Sequence, residues 1–207
     1  MAVIMKAYKI VTIEREYASG GSFIGKMVSK KLGIPVYDHE ILEYIAKKRG
    51  IFPQNIAAYE ENKTNSVLYS LHVISQAMQG AGPEMAYSDS LNFGEQELIR
   101  KIADHTGCII IGRCAAHALR ERGDVLNVFI TADKAYRKER AVLEYGVAEA
   151  QAEQTIQSYD KRRSAFYKEI TGKSWRERSG YAMVLDSSLL GAETCSGIIA
   201  AIAKGNL

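Results

Sequence analysis

Residues 8 to 32 constrain the fold more than any other stretch. A β-branched run from Tyr8 to Ile13 leads into Glu14-Arg15-Glu16-Tyr17-Ala18-Ser19-Gly20-Gly21-Ser22. Beyond it the hydrophobic pattern changes to a helical period, with Ile24, Met27, Val28 and Leu32 on one face. Strand, glycine-bearing loop, helix N-terminus is the plan of an anion cradle. The free N–H groups of the first helical turn and the positive end of the helix dipole point together at whatever occupies the loop. Gly20 and Gly21 let the backbone approach such a ligand without an intervening side chain, and Ser22 is the expected N-cap. The same glycines also fit an ordinary strand-to-helix turn, and both readings stand at this point. The phosphate-loop motif G-x-x-x-x-G-K-[ST] is absent: Gly21 stands where its lysine would fall, and Lys26 comes about one helical turn later.

The rest of the chain repeats the alternation. Gly33 is placed to end the first helix, and Ile34 to Asp38 reads as a short buried strand. Asp38 is placed to cap a helix carrying Ile41, Tyr44 and Ile45, which Gly50 stops. A loop with a short helix is expected to Asn65, a helical stripe from Val67 to Met78, and an irregular stretch from Gly80 to Asn92. Leu98, Ile99, Ile102 and Ala103 mark a helix closed by Gly107. Cys108-Ile109-Ile110-Ile111 is apolar throughout, as a strand covered on both faces must be. Ala115 to Arg122 (helix), Val125 to Thr131 (strand), Asp133 to Tyr145 and Ala148 to Ile170 (helices), Tyr181 to Asp186 (strand) and a final helix with Ile198, Ile199 and Ile202 inside complete the order.

Strands alternating with helices predict one α/β domain over 1–207, a five-stranded parallel sheet with helices on both faces. Ligands of such sheets sit at the carboxyl ends of the strands, which gathers Arg15, Asp38, Arg113, Thr131 and Asp186 around one crevice. A net charge of +3 on 207 residues is too mild to call for nucleic acid and suits a small anionic ligand. No apolar run approaches membrane-spanning length, and the start has no signal-peptide pattern. The three cysteines, Cys108, Cys114 and Cys195, make neither a C-x-x-C pair nor an even set, so a reduced, cytoplasmic setting is expected. The histidines show no metal-ligand spacing, and no protein-held metal site is expected. Oligomeric state is not legible.

Several spaced motifs resemble the cytidylate kinase-like family, a branch of P-loop kinases related to bacterial CMP kinases. They are Arg15-Glu-Tyr-Ala-Ser-Gly-Gly21, Gly33-Ile-Pro-Val-Tyr-Asp38, Ile110-Ile-Gly-Arg113-Cys-Ala115, Tyr167-Lys-Glu-Ile-Thr-Gly-Lys-Ser-Trp175 and Asp186-Ser-Ser-Leu-Leu-Gly191. The resemblance implies a P-loop NTPase-type fold with a helical acceptor-binding insertion (52–93) and a lid (132–178). It also implies transfer of the γ-phosphoryl group of ATP, with Mg²⁺, to a small acceptor such as CMP or dCMP.

The same resemblance sorts the candidate site residues. Arg15, Ala18, Ser19, Gly20, Gly21 and Ser22 would cradle the donor phosphates. Arg15, Asp38, Arg137 and Arg140 would act in catalysis, the last two as lid arginines three apart on one helix face. Arg113, Asp160, Arg163 and Asp186 would hold the acceptor. Bland roles compete: ion pairs for Arg113, Arg137, Arg140 and the Asp160/Arg163 pair, helix caps for Asp38 and Asp186. Two positions depart from ordinary nucleoside monophosphate kinases, Gly21 for the loop lysine and Ile111 for an acid at the end of the third strand. They open the alternative of a non-catalytic nucleotide- or phosphate-binding module.

Overall fold

A computed structural model describes residues 7–38 and 95–205. The helices expected around Ile41 and from Val67 to Met78, and the insertion 52–93, lie outside them.

Five parallel strands form one sheet: β1 (Ile10–Arg15), β2 (Val36–Tyr37), β3 (Cys108–Ile111), β4 (Val125–Thr131) and β5 (Met183–Asp186), in the order β2-β3-β1-β4-β5. Around them stand α1 (Gly21–Leu32), α2 (residues 95–105), α3 (Ala115–Ala118), α4 (Lys134–Tyr145), α5 (Glu149–Thr171) and α6 (Ser187–Lys204). The fold is the predicted α/β plan.

Strand periodicity builds the two cores. In β1, Val11 and Ile13 point to the face covered by α1 and α6, where they meet Ile24, Val28, Ile109, Ile111, Val128 and Ile199. Ile10 points the other way, among Ile99, Ile110, Ala115 and Leu119. Burying each such isoleucine contributes about 1.5–3 kcal/mol, which explains why β3 is apolar throughout and why the stretch Ile10 to Ile13 of β1 is nearly so, Glu14 and Arg15 coming only at the strand end. Thr12 is the exception, and its hydroxyl donates to Asn127 Oδ1 on the neighbouring strand (3.0 Å).

Several boundaries differ from the sequence expectation. The N-cap of α1 is Gly20, not Ser22, because the helix already starts at Gly21. Gly20 takes up a left-handed conformation (φ 79°) that a serine would enter only with strain. The second strand shrinks to Val36–Tyr37, paired with β3 and at the edge of the sheet among the described residues. The helix expected from Ala115 to Arg122 keeps its regular form only to Ala118, with turns beyond. The fifth strand starts at Met183 rather than Tyr181.

Candidate active site

Chain order leaves β1 in opposite directions: β3 and β2 lie on one side of it, β4 and β5 on the other. Such a reversal opens a crevice beyond the carboxyl ends of the strands, and the loop from Arg15 to Gly20 sits there. Gly20 supplies no side-chain cap to α1, so its first turn is left open. Among the described residues no acceptor takes the N–H groups of Gly20, Gly21, Ser22 or Phe23; the first bonded amide of the helix is Ile24, to Gly20 O (2.9 Å). Four unmet donors at the positive end of a helix make an anion site.

Arg15 occupies the space that a loop lysine would use. A Cβ on Gly21 would come within 2.5 Å of Arg15 Cβ, and one on Gly112 within 2.0 Å of Arg15 Nη1. The arginine therefore lies in a slot between two glycines, one at the start of α1 and one after β3. Its Nη2 reaches Asp38 Oδ1 at 3.3 Å, while its buried Nε donates to nothing among the described residues. Lys26 is exposed on α1.

The two predicted lid arginines fall into different environments. Arg137 is buried and spent on the protein: Nε donates to Tyr17 O (2.8 Å), Nη2 pairs with Asp160 Oδ2, and Nη1 lies 3.2 Å from Glu16 Oε2. Arg140, one turn on, lies against the loop. Its guanidinium carbon would be 3.5 Å from a Cβ on Gly20, its Nη2 holds Glu144, and its buried Nε has no hydrogen-bond partner among the described residues. A buried N–H left unmet beside an open anion cradle fits a ligand oxygen there.

On the other flank, Gly112, Arg113 and Cys114 all take left-handed backbone (φ 72°, 60° and 52°). Two consecutive non-glycine residues in that region cost strain that only surrounding contacts sustain. Gln96 Nε2 donates to Arg113 O (3.0 Å), and Cys114 N donates to Glu14 Oε1 (3.3 Å). The Arg113 side chain pairs with buried Glu95 (Nε to Oε1, 3.4 Å). Arg163 comes in from α5, donating from Nη1 to Arg15 O (2.9 Å). Burial, then the neighbouring Arg15 charge, pulls its guanidinium down to about 9, and it stays a cation at neutral pH.

The carboxylates of Asp160 and Asp186 are both engaged by the chain itself. Asp160 is buried and accepts from Tyr17 N (2.8 Å). Asp186 caps α6, accepting from Ser188 N (2.9 Å) and Leu189 N (3.3 Å). With β5 three strands from β3, Asp186 stands about 14 Å across the sheet from the Arg113 turn. Arg15, Asp38, Arg140 and Arg163 thus meet at the loop, with the Arg113 turn alongside; the Asp186 carboxylate is taken up by the cap of α6.

Sequence reasoning missed three participants. Glu16 is buried between Arg137, Arg176 and the Thr131 hydroxyl (Oγ1 to Oε2, 2.6 Å). Glu14 is buried below the Arg113 turn, and the Trp175 indole N–H donates to its Oε2 (3.3 Å). Desolvation pushes its carboxyl above the usual range, against the pull of Arg15. Ser187 Oγ donates to Ser19 O (2.6 Å), bracing the loop from α6. The signal for the two glutamates is present in the chain: acids at alternate positions closing an otherwise apolar strand.

The sequence model of the cytidylate kinase-like family matches residues 10–189. Among solved structures, an uncharacterized protein from Eubacterium ventriosum superposes with a TM-score of 0.70 at 21% identity, over 94% of this chain and 97% of that one. The Thermus thermophilus protein TT1252 gives 0.53 at 14% identity (95% and 98% covered). A gluconokinase from Sinorhizobium meliloti gives 0.51 at 14% identity (96% and 94% covered). These likenesses show the fold. No curated protein matches the chain significantly in sequence. Among the described residues no helix is long and apolar enough to cross a membrane, and no cluster of three metal-ligating side chains occurs.

Proposed function

The chain belongs to the cytidylate kinase-like family, and on that premise we propose that it moves the γ-phosphoryl group of ATP, or a similar donor, to a small acceptor, a nucleoside monophosphate such as CMP or dCMP. The observation that carries the reading is the open N-terminus of α1, with a slotted arginine in place of a lysine and a second arginine over it.

In this reading the N–H groups of Gly20 to Phe23 take the donor's phosphate oxygens. Arg15 supplies the fixed cation, its orientation set by Asp38 and by the two glycines that flank it. Arg140 directs its unmet Nε at the same phosphates. Arg113 and Arg163 meet the acceptor from the β3 side. An acceptor oxygen forms the new bond to the γ-phosphorus, the bond to the bridging oxygen breaks, and the diphosphate leaves with that electron pair. Asp38 is placed to orient the attacking group. The chain's task is positioning and charge stabilisation, as phosphoryl transfer requires.

Mg²⁺ fits the residues present. The Ser22 hydroxyl, in the first turn of α1, would hold it together with donor oxygens and water, since this ion takes few protein ligands. When bound it neutralises phosphate charge.

Gly21 and Ile111 favour a second reading, a phosphate-binding module without turnover. A nucleotide panel assay with Mg²⁺ separates the two: monophosphate acceptors against ATP and GTP, with formation of ADP or GDP measured. Turnover with one acceptor supports the kinase; tight donor binding with no turnover across the panel supports the module.

A further inference from the structure

We propose that Asp160 is a positioning residue for the phosphate loop. It fastens the Tyr17 amide and aims Arg137 at the Tyr17 carbonyl, so that α4 and α5 hold the loop ready for an anion. This rests on the loop being the donor-phosphate site.

The loop makes little use of its own backbone. Between Arg15 and Gly20 the backbone bonds are Glu16 N to Ile130 O (3.0 Å) and Ser19 N to Glu16 O (3.3 Å). The Ser19 hydroxyl adds one local bond, to Glu16 O (2.8 Å), and the remaining fastenings of the loop backbone are side chains from far along the chain. Arg163 grips Arg15 O, Asp160 Oδ1 accepts from Tyr17 N, Arg137 Nε donates to Tyr17 O, and Ser187 holds Ser19 O. Both polar groups of the Tyr17 backbone are thus met by the α4–α5 pair. Asp160 divides its oxygens, Oδ1 for the amide and Oδ2 for Arg137 and Arg176. The Tyr17 ring stacks on Tyr159, the residue before Asp160 (centroids 4.2 Å, planes 16° apart).

The grip on Tyr17 matters because strained backbone comes directly after it. Ala18 is held at φ 58° and Gly20 at 79°, immediately before the amides of Gly20 to Phe23 that find no acceptor among the described residues. A non-glycine residue stays there only when its neighbours over-determine it. Releasing Tyr17 lets Ala18 relax, and the four open N–H groups lose their common direction. Asp160 and Arg137 are buried, and their hydrogen bonds to Tyr17 face the loop, while their outer sides line a cavity of about 700 Å³ between α4 and α5.

Asp160→Asn separates the two bonds. An amide that turns its oxygen to Tyr17 N presents N–H donors to Arg137, and the opposite flip leaves Tyr17 N facing a donor. The test measures inorganic tripolyphosphate affinity by calorimetry and amide exchange of Tyr17 by NMR, well below the melting temperature. The variants are Asp160→Asn; Asp160→Glu, which keeps the charge beside Arg137 but displaces the carboxylate; and Arg176→Ala, which removes the exposed cation that Asp160 shares with Glu16 and leaves the Tyr17 bonds in place. Tenfold or greater loss of affinity in the first two, with faster Tyr17 exchange and near-normal behaviour in the third, is expected. Wild-type affinity and exchange in both Asp160 variants, whatever their melting temperatures, overturns the proposal. If the wild-type chain itself binds no tripolyphosphate, the site reading fails, and this inference fails with it.

Discussion

Among the described residues three helices of 12 or more residues, α1, α4 and α6, begin at the carboxyl edge of this sheet, beside the single turn of α3, and the three begin in two ways. In α4 the Asp133 side chain accepts from Tyr136 N (2.8 Å), and in α6 Asp186 accepts from Ser188 N and Leu189 N. Each of these positive ends is closed by the chain's own carboxylate. In α1 the cap is a glycine with no side chain, and four amides find no acceptor among the described residues. An internal carboxylate and an external phosphate compete for the same donors, so the helix without an acid is the one left for a ligand. The charges divide the same way: Arg15, Arg140 and Arg163 attend the open end, while Asp186 serves the closed one.

The largest effect is expected at the open end. Gly21→Val puts a branched side chain where Arg15 now lies, and ATP binding should fall at least a hundredfold in calorimetry, with the circular dichroism spectrum unchanged. Wild-type affinity would mean that the slot is not used.

Next comes Arg15→Met. Loss of one pre-placed donor to a transferring phosphoryl group costs roughly 10²–10³ in rate, so turnover should fall by that order, while Lys26→Met should stay near wild type. The reverse pattern gives the cation's role to Lys26. No change in either variant removes catalysis from the loop and favours the binding-module reading.

A smaller change is expected for Arg113→Ala. Removing a charge-assisted hydrogen bond worth about 1.5–3 kcal/mol weakens acceptor affinity roughly tenfold or more and leaves donor affinity alone. A lower melting temperature with unaltered acceptor affinity would make the arginine a structural partner of Glu95.

The smallest effect belongs to the closed end. Asp186→Ala removes a helix cap and should cost about 0.5–2 kcal/mol in urea unfolding, with ATP and acceptor affinities unchanged. Acceptor affinity falling with stability intact would return Asp186 to the site.

The sequence reveals this division unevenly. The sheet is legible because buried parallel strands are written as short apolar runs between glycines, Cys108 to Ile111 being the plainest. The anion loop is legible from Gly20-Gly21 at a change of period. Caps are harder: Asp186 at a strand end suits a ligand or a helix equally, and only the positions of Ser188 N and Leu189 N decide which bond exists here. The spacing of Arg137 and Arg140 places them on one face of a helix but cannot separate a buried guanidinium from one with an unmet N–H. That difference depends on Tyr17, Glu16 and Asp160, which the fold brings in from distant parts of the chain. Glu14 and Glu16 look like solvated charges after a strand, because their partners Trp175 and Arg137 lie more than a hundred residues away.

The open end of α1 is tested most directly by tracking backbone amide resonances during titration with ATP and Mg²⁺. The account predicts large shifts at Gly20, Gly21, Ser22 and Phe23, with Ser188, Leu189 and Tyr136 unmoved. Shifts centred on α6 or α4, or saturating ATP with those four amides unmoved, would contradict it.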